Sequence, residues 1–84
     1  MKRARHPVSV LLGKRLQKMR KQAGYSQEAF AHEVGIHRTY MGLIERGERN
    51  MTVLTYLRVI RKLGLEQDEL LSGLPTPEPR EEGE

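Results

Sequence analysis

Short stretches of helical apolar spacing, each cut off by a glycine, constrain this chain more than any other feature of its sequence. Phe30 and Val34 lie four apart, Gly35 follows at once, and Met41 and Ile44 carry the pattern on to Gly47. Apolar residues three and four apart, with no useful run of period-two alternation, predict helices and no strands. Segments of two turns do not hold together alone in water, because their few hydrogen bonds barely offset the cost of nucleating the helix. Each must therefore be pressed against the others around a shared core. With 84 residues and no cysteine, that core has no disulfide to reinforce it, so self-association is an early expectation.

The same reading extends along the chain. Val8, Leu12, Leu16, Met19 and Ala23 form one face of a first helix that Gly24 ends. Ser26 caps a second helix, a third runs over 37–46, and Thr52 caps a fourth with Val53, Tyr56, Ile60 and Leu63 facing inward. After Gly64, the residues Leu65, Leu70, Leu71 and Leu74 predict a short fifth helix with more leucine than a chain end should expose. The expected fold is all-α, a compact five-helix body over 8–74. The fifth helix and part of the fourth are the expected dimer interface, through Leu65, Leu70, Leu71 and Leu74.

Charge is distributed unevenly over this body. Eight basic residues and no acid lie between Met1 and Ala23, whereas the last ten residues hold four acids, one arginine and three of the four prolines. Residues 1–7 read as a flexible basic arm and 75–84 as a disordered acidic tail, since the tail has no large apolar side chain to offset its ordering entropy. Lys14, Arg15, Lys18 and Lys21 lie off the apolar line of the first helix, turned to solvent or to an anionic partner. No apolar run exceeds three residues, which excludes a membrane-spanning helix and the core of a secretory signal. A cytoplasmic location is expected, and the absence of cysteine agrees with a reducing compartment.

Two short helices joined by a glycine turn make a helix-turn-helix only if particular positions satisfy its packing, and Gln27 to Arg46 can be tested against them. The fifth position must be small where the helices cross, and it is Ala31; the ninth must accept a left-handed conformation, and it is Gly35. The positions that wedge the pair onto the rest of the domain are apolar: Phe30, Val34, Ile36, Met41 and Ile44. All seven requirements are met.

The stretch from Leu12 to Ala31, LGKRLQKMRKQAGYSQEAFA, followed by Ile44-Glu-Arg-Gly47, resembles the lambda-repressor-like, Xre-type helix-turn-helix domain over Val8 to about Leu74. Arg38-Thr-Tyr40 and the run IERGERNMT from Ile44 to Thr52 are similar to the controller proteins of restriction-modification systems. Gly42-Leu43 departs from the small-then-glycine pair of that pattern. The resemblance implies a bacterial or phage homodimer of five helices that binds operators ahead of its own gene and the endonuclease gene.

The exposed positions at the start of the second helix of such a motif enter the major groove, and here they are His37, Arg38, Thr39 and Tyr40. Arg38 is the first choice for base readout, because its fork can bond guanine O6 and N7 together. Thr39 offers a hydroxyl and a methyl; Tyr40 either bonds near the backbone or packs; Leu43 either meets a thymine methyl or packs. The resemblance implies a base or phosphate contact for Arg49 and a phosphate contact for Gln27. Phosphate contacts are also expected of His37, Arg46, Asn50 and Thr52, with solvation of Arg46 and simple capping by Thr52 as alternatives. Lys2, Arg3 and Arg5 are expected to follow the backbone, enter the minor groove or stay unordered without DNA. The resemblance pairs Arg20 with Glu45 as a structural ion pair that orients the recognition helix.

Catalysis finds little to use. The only Asp is Asp68, and His6, His32 and His37 are scattered, with no metal-ligand spacing and no phosphate-cradling glycine loop. No enzyme activity, metal or cofactor is expected. The partners expected are duplex DNA and a second copy of the chain. The alternative is an antitoxin or prophage-type repressor that also binds a protein. Glu28 and Glu33 read as solvated charge, with contact to RNA polymerase as the other option.

Overall fold

A computed structural model describes residues 6–79. Among these residues there are four helices and no strand: α1 (Pro7–Gln22), α2 (Gln27–Val34), α3 (Arg38–Glu45) and α4 (Val53–Leu63). Each start has a local cause. His6, Ser26, His37 and Thr52 sit at the four N-caps, each side chain accepting a backbone N–H of the first turn, and Pro7 supplies a pre-set φ at the first position of α1. Between α2 and α3 the chain reverses through Gly35 at φ +76°, a left-handed conformation that a side chain would strain.

α3 packs against both α1 and α2, and α2 against α4. Leu16, Phe30, Ala31, Val34, Met41, Ile44, Val59, Ile60 and Leu70 form the buried core, with Ile36, Leu12, Met19, Tyr56 and Leu63 half-buried around it. Six of the seven positions tested for the helix-turn-helix thus take the places their packing requires: Ala31, Phe30, Val34, Met41 and Ile44 in the core, Gly35 at the turn. The seventh, Ile36, lies at the core's edge.

Three expectations require correction. Residues 66–73 form a series of turns, not a fifth helix: Glu69 N bonds Glu66 O, Leu71 N bonds Asp68 O and Leu74 N bonds Leu71 O, all three residues apart. The Glu69 carboxylate occupies the Glu66 amide at 2.7 Å, and a segment this short gains too few four-residue bonds to offset helix nucleation. Arg15 Nη1 fixes the turns to α1 by donating to the carbonyls of Leu70 and Ser72 at 3.0 and 2.6 Å.

Second, Leu70 is fully buried in the core of its own chain, so it has no surface to offer a partner. Third, the inward faces of two helices keep most of the expected residues against the core but lose one each at an end and take in others. On α1 the buried residues are Gly13, Leu16 and Arg20, with Val8, Leu12 and Met19 half-buried and Ala23 exposed. On α4 they are Thr55, Val59 and Ile60, while Val53 is 75% exposed. Glycine accounts for the widening on α1: a Cβ on Gly13 would stand 2.4 Å from the Ile44 carbonyl oxygen, so the backbones of α1 and α3 touch at a position that an apolar count passes over.

Candidate nucleic-acid interface

The first turn of α3 is the most exposed part of that helix. His37, Arg38 and Thr39 face solvent, while Tyr40 and Leu43 are half-buried along the same edge. His37 Nδ1 accepts the Thr39 amide at 3.0 Å, so the imidazole caps the helix it introduces. One turn on, the Tyr40 hydroxyl reaches the loop before α4, donating to the Asn50 carbonyl at 3.0 Å and accepting the Thr52 amide at 3.2 Å. Tyr40 therefore fastens the start of α4 to the exposed edge of α3.

This fastening brings seven of the expected contact residues around one open concavity of about 610 Å³: His37, Thr39, Tyr40, Leu43, Arg49, Asn50 and Thr52. Arg38 stands exposed in the same first turn of α3. Gln27 begins α2, where its side chain meets Glu45 rather than the concavity. Arg46 is exposed and bonds Glu48 at 2.9 Å. Arg3 and Arg5 lie outside the described residues.

Several polar groups in this region already have partners. Thr52 Oγ1 accepts the Thr55 amide at 3.1 Å, which is an N-cap, and the side chain also bonds the Thr55 hydroxyl. Asn50 Oδ1 accepts the Ser9 hydroxyl at 2.6 Å, a contact across 41 residues that no local pattern signals. Ser9 is the residue that sequence reasoning missed, and it ties the edge of the concavity to α1.

Beneath the interface lies the pair of Arg20 and Glu45. Arg20 Nε and Nη2 meet the two carboxylate oxygens at 2.7 and 3.0 Å, and Nη1 donates to the Tyr25 carbonyl at 2.7 Å. The side chains are 6% and 1% exposed, so each charge depends on the other for its solvation. The Lys62 ammonium holds the Glu33 carboxyl below its ordinary range, Glu33 raises Lys62 in turn, and burial raises the Tyr56 hydroxyl. No group of three or more His, Cys, Asp or Glu is placed to hold a metal ion among the described residues, and no helix there is long and apolar enough to cross a membrane.

A long first helix, two short crossed helices joined at a left-handed glycine, and an exposed first turn beside a polar loop define a helix-turn-helix protein. The chain belongs to the helix-turn-helix domain family, whose model matches residues 11–72. It is 34% identical over 68 residues to the control protein C.MunI of a Mycoplasma species, covering 80% of this chain and 92% of that one. The solved restriction-modification controller protein C.AhdI of Aeromonas hydrophila is similar at 37% identity and a TM-score of 0.74, over 77% of this chain and 98% of that one. SinR, a master regulator of biofilm formation solved in complex with DNA, matches at 29% identity and a TM-score of 0.68, over 73% of this chain and 98% of that one.

Proposed function

We propose that this chain is a sequence-specific DNA-binding transcriptional regulator that acts as a homodimer on a near-palindromic operator, as the controller of a restriction-modification operon. The observation that carries the reading is the concavity beside the first turn of α3. It gathers side chains from the recognition helix and from the loop before α4 on one open face. Such a face meets DNA in two ways at once: Arg38 and Thr39 reach base edges, while Arg49, Asn50 and the start of α4 hold phosphates. The similarity to control proteins supports the controller assignment within that class.

The homodimer rests on a second feature. Val53, Leu54 and Leu57 on α4, together with Leu71 in the turns, are large apolar side chains left exposed by a single copy. A second copy is the natural cover, because the fold is small and its core takes no benefit from these residues. The interface therefore lies on α4 and Leu71, with Leu65 and Leu74 half-buried at its margin and Leu70 beneath it in the core.

The test is selection from a random pool of duplexes, followed by sequencing of the bound fraction. A dyad motif with half-sites about 34 Å apart, one turn of DNA, is the expected result. Recovery of unrelated sequences at all salt concentrations overturns the reading. A location next to endonuclease and methyltransferase genes supports the controller, whereas a neighbouring toxin gene favours the antitoxin.

A further inference from the structure

One face of α1 carries cations that the rest of the fold leaves unmatched. Lys14, Arg15 and Lys18 line an open concavity of about 490 Å³ together with Met19, Gln22 and Glu69. Helix α1 contains no acid of its own, and the Glu69 carboxylate is engaged by the Glu66 amide. Lys14, Lys18 and Lys21 are exposed and make no ion pair among the described residues, where Arg20 pairs with Glu45, Arg46 with Glu48 and Lys62 with Glu33. The last turns of the fold are fastened beside this face, because Arg15 Nη1 donates to the Leu70 and Ser72 carbonyls at 3.0 and 2.6 Å. From there 75–79 run on with every residue exposed, and the segment 78–84 holds Glu78, Glu81, Glu82 and Glu84 against a single base, Arg80.

We infer that the acidic segment 78–84 docks in cis on the basic face of α1, at Lys14, Lys18 and Lys21, and screens that face from other anions. Charge and reach both select this occupant. Extended chain covers at most about 3.3 Å per residue, so Glu81 to Glu84 reach about 20 Å or more from Leu74. Lys14 and Lys21 are only about 10 Å apart along the helix. Exposed ion pairs are individually weak, but a short tether holds the acids at an effective concentration in the millimolar range, where several weak pairs are enough. A second basic concavity, at Arg58, Arg61 and Lys62, already contains Glu33 paired with Lys62, and none of its bases bonds the last turns among the described residues. The concavity on α1 shares no residue with the one beside α3, so docking leaves the exposed edge of α3 open. The docking does not depend on the DNA-binding reading above.

The experiment uses the full chain, which has no cysteine, so Gly83→Cys takes a single nitroxide label. Paramagnetic broadening of backbone amides should centre on Lys14, Lys18 and Lys21 at about 50 mM salt and fade by about 500 mM. Combining Glu81→Gln, Glu82→Gln and Glu84→Gln should abolish it. Spin-labelled chain mixed with isotope-labelled chain that carries no nitroxide should leave α1 sharp. Screening is read from affinity for a scrambled duplex of about 20 base pairs, which the three glutamine substitutions should tighten about fivefold. In a Lys14→Gln, Lys18→Gln background the same substitutions should add less than about twofold, because the face they uncover is gone. Both lysines are exposed, so their replacement leaves the fold intact.

Broadening centred on Arg58 and Arg61, or spread evenly over the surface, overturns docking on α1. Broadening of α1 in the mixed sample assigns the segment to a second copy and overturns the cis contact. No gain in affinity with the lysines present, or an undiminished gain without them, overturns the screening, since net charge alone would then account for the segment's effect.

Discussion

The residues of the exposed edge divide by what already occupies their polar atoms. Arg38 and Arg49 extend into solvent, whereas Tyr40, Thr52 and Asn50 hold the loop before α4 in place. In the proposed complex, readout would fall chiefly on Arg38, whose fork can discriminate guanine by about 1–3 kcal/mol. Arg38→Ala should flatten the selected motif at one position per half-site and leave the others intact, as repeated pool selection would show. An unchanged motif would remove Arg38 from base readout. A smaller effect concerns Glu33 on α2 and Lys62 near the end of α4. The carboxyl is held below its ordinary range, so the pair's contribution is present above that range and fades as pH falls through the lowered value. Both groups are exposed, so Glu33→Gln should remove that part of the acid-side dependence of Tm while leaving Tm near neutral pH close to the parent's.

At the scale of elements, two glycines within helices have opposite expected responses. Gly13 is where α1 lies against the α3 backbone, and an added Cβ would meet Ile44 O at 2.4 Å and Glu45 O at 2.5 Å. Backbone atoms cannot step aside as side chains do, so Gly13→Ala should cost about 1–3 kcal/mol or more in denaturant unfolding. Gly42 is also buried, but its nearest obstacle is the far end of Arg46 at 3.2 Å, which can swing away. There the helix gains what glycine withholds, and Gly42→Ala should stabilise by about 0.5–1 kcal/mol. A loss of stability at Gly42 would show that Arg46 is fixed in place.

The same glycines show what could be read in the sequence. The crossing of α2 and α3 was legible because Ala31, Gly35 and four of the apolar positions are required locally by one turn geometry. The face of α1 was legible only in part: Leu12, Leu16 and Met19 pack in or against the core, but counting apolar residues gives no weight to Gly13 and none to Arg20, which lie on its contact line. Leu70 and the missing fifth helix share another cause. Leucine content signals burial but does not say whether the residue is buried by its own chain or by a partner, nor whether the backbone carrying it closes into a helix. The concavity was largely legible as a set of residues, whereas the fastenings that assemble it, Tyr40 to the loop and Ser9 to Asn50, join distant segments and left no pattern.

For the whole molecule, the body measures 41 × 30 × 20 Å, so two copies side by side can place equivalent edges about one helical turn of DNA apart. In the proposed dimer the exposed apolar residues of α4 would hold them side by side, and this separates two variants that the leucine pattern alone would treat alike. Leu70 is 0% exposed, and Leu70→Glu would place an unpaired charge in the core, so it should unfold the chain rather than split a dimer. Leu54 is 65% exposed in a single copy, so Leu54→Glu should leave the fold's circular dichroism and core packing unchanged. Sedimentation should then show a monomer where the parent chain shows a dimer. Binding to a full operator should fall toward that of a half-site, because the second recognition helix is no longer delivered at high effective concentration. A Leu54→Glu chain that still sediments as a dimer would move the interface off this face of α4 and leave its exposed leucines to another partner.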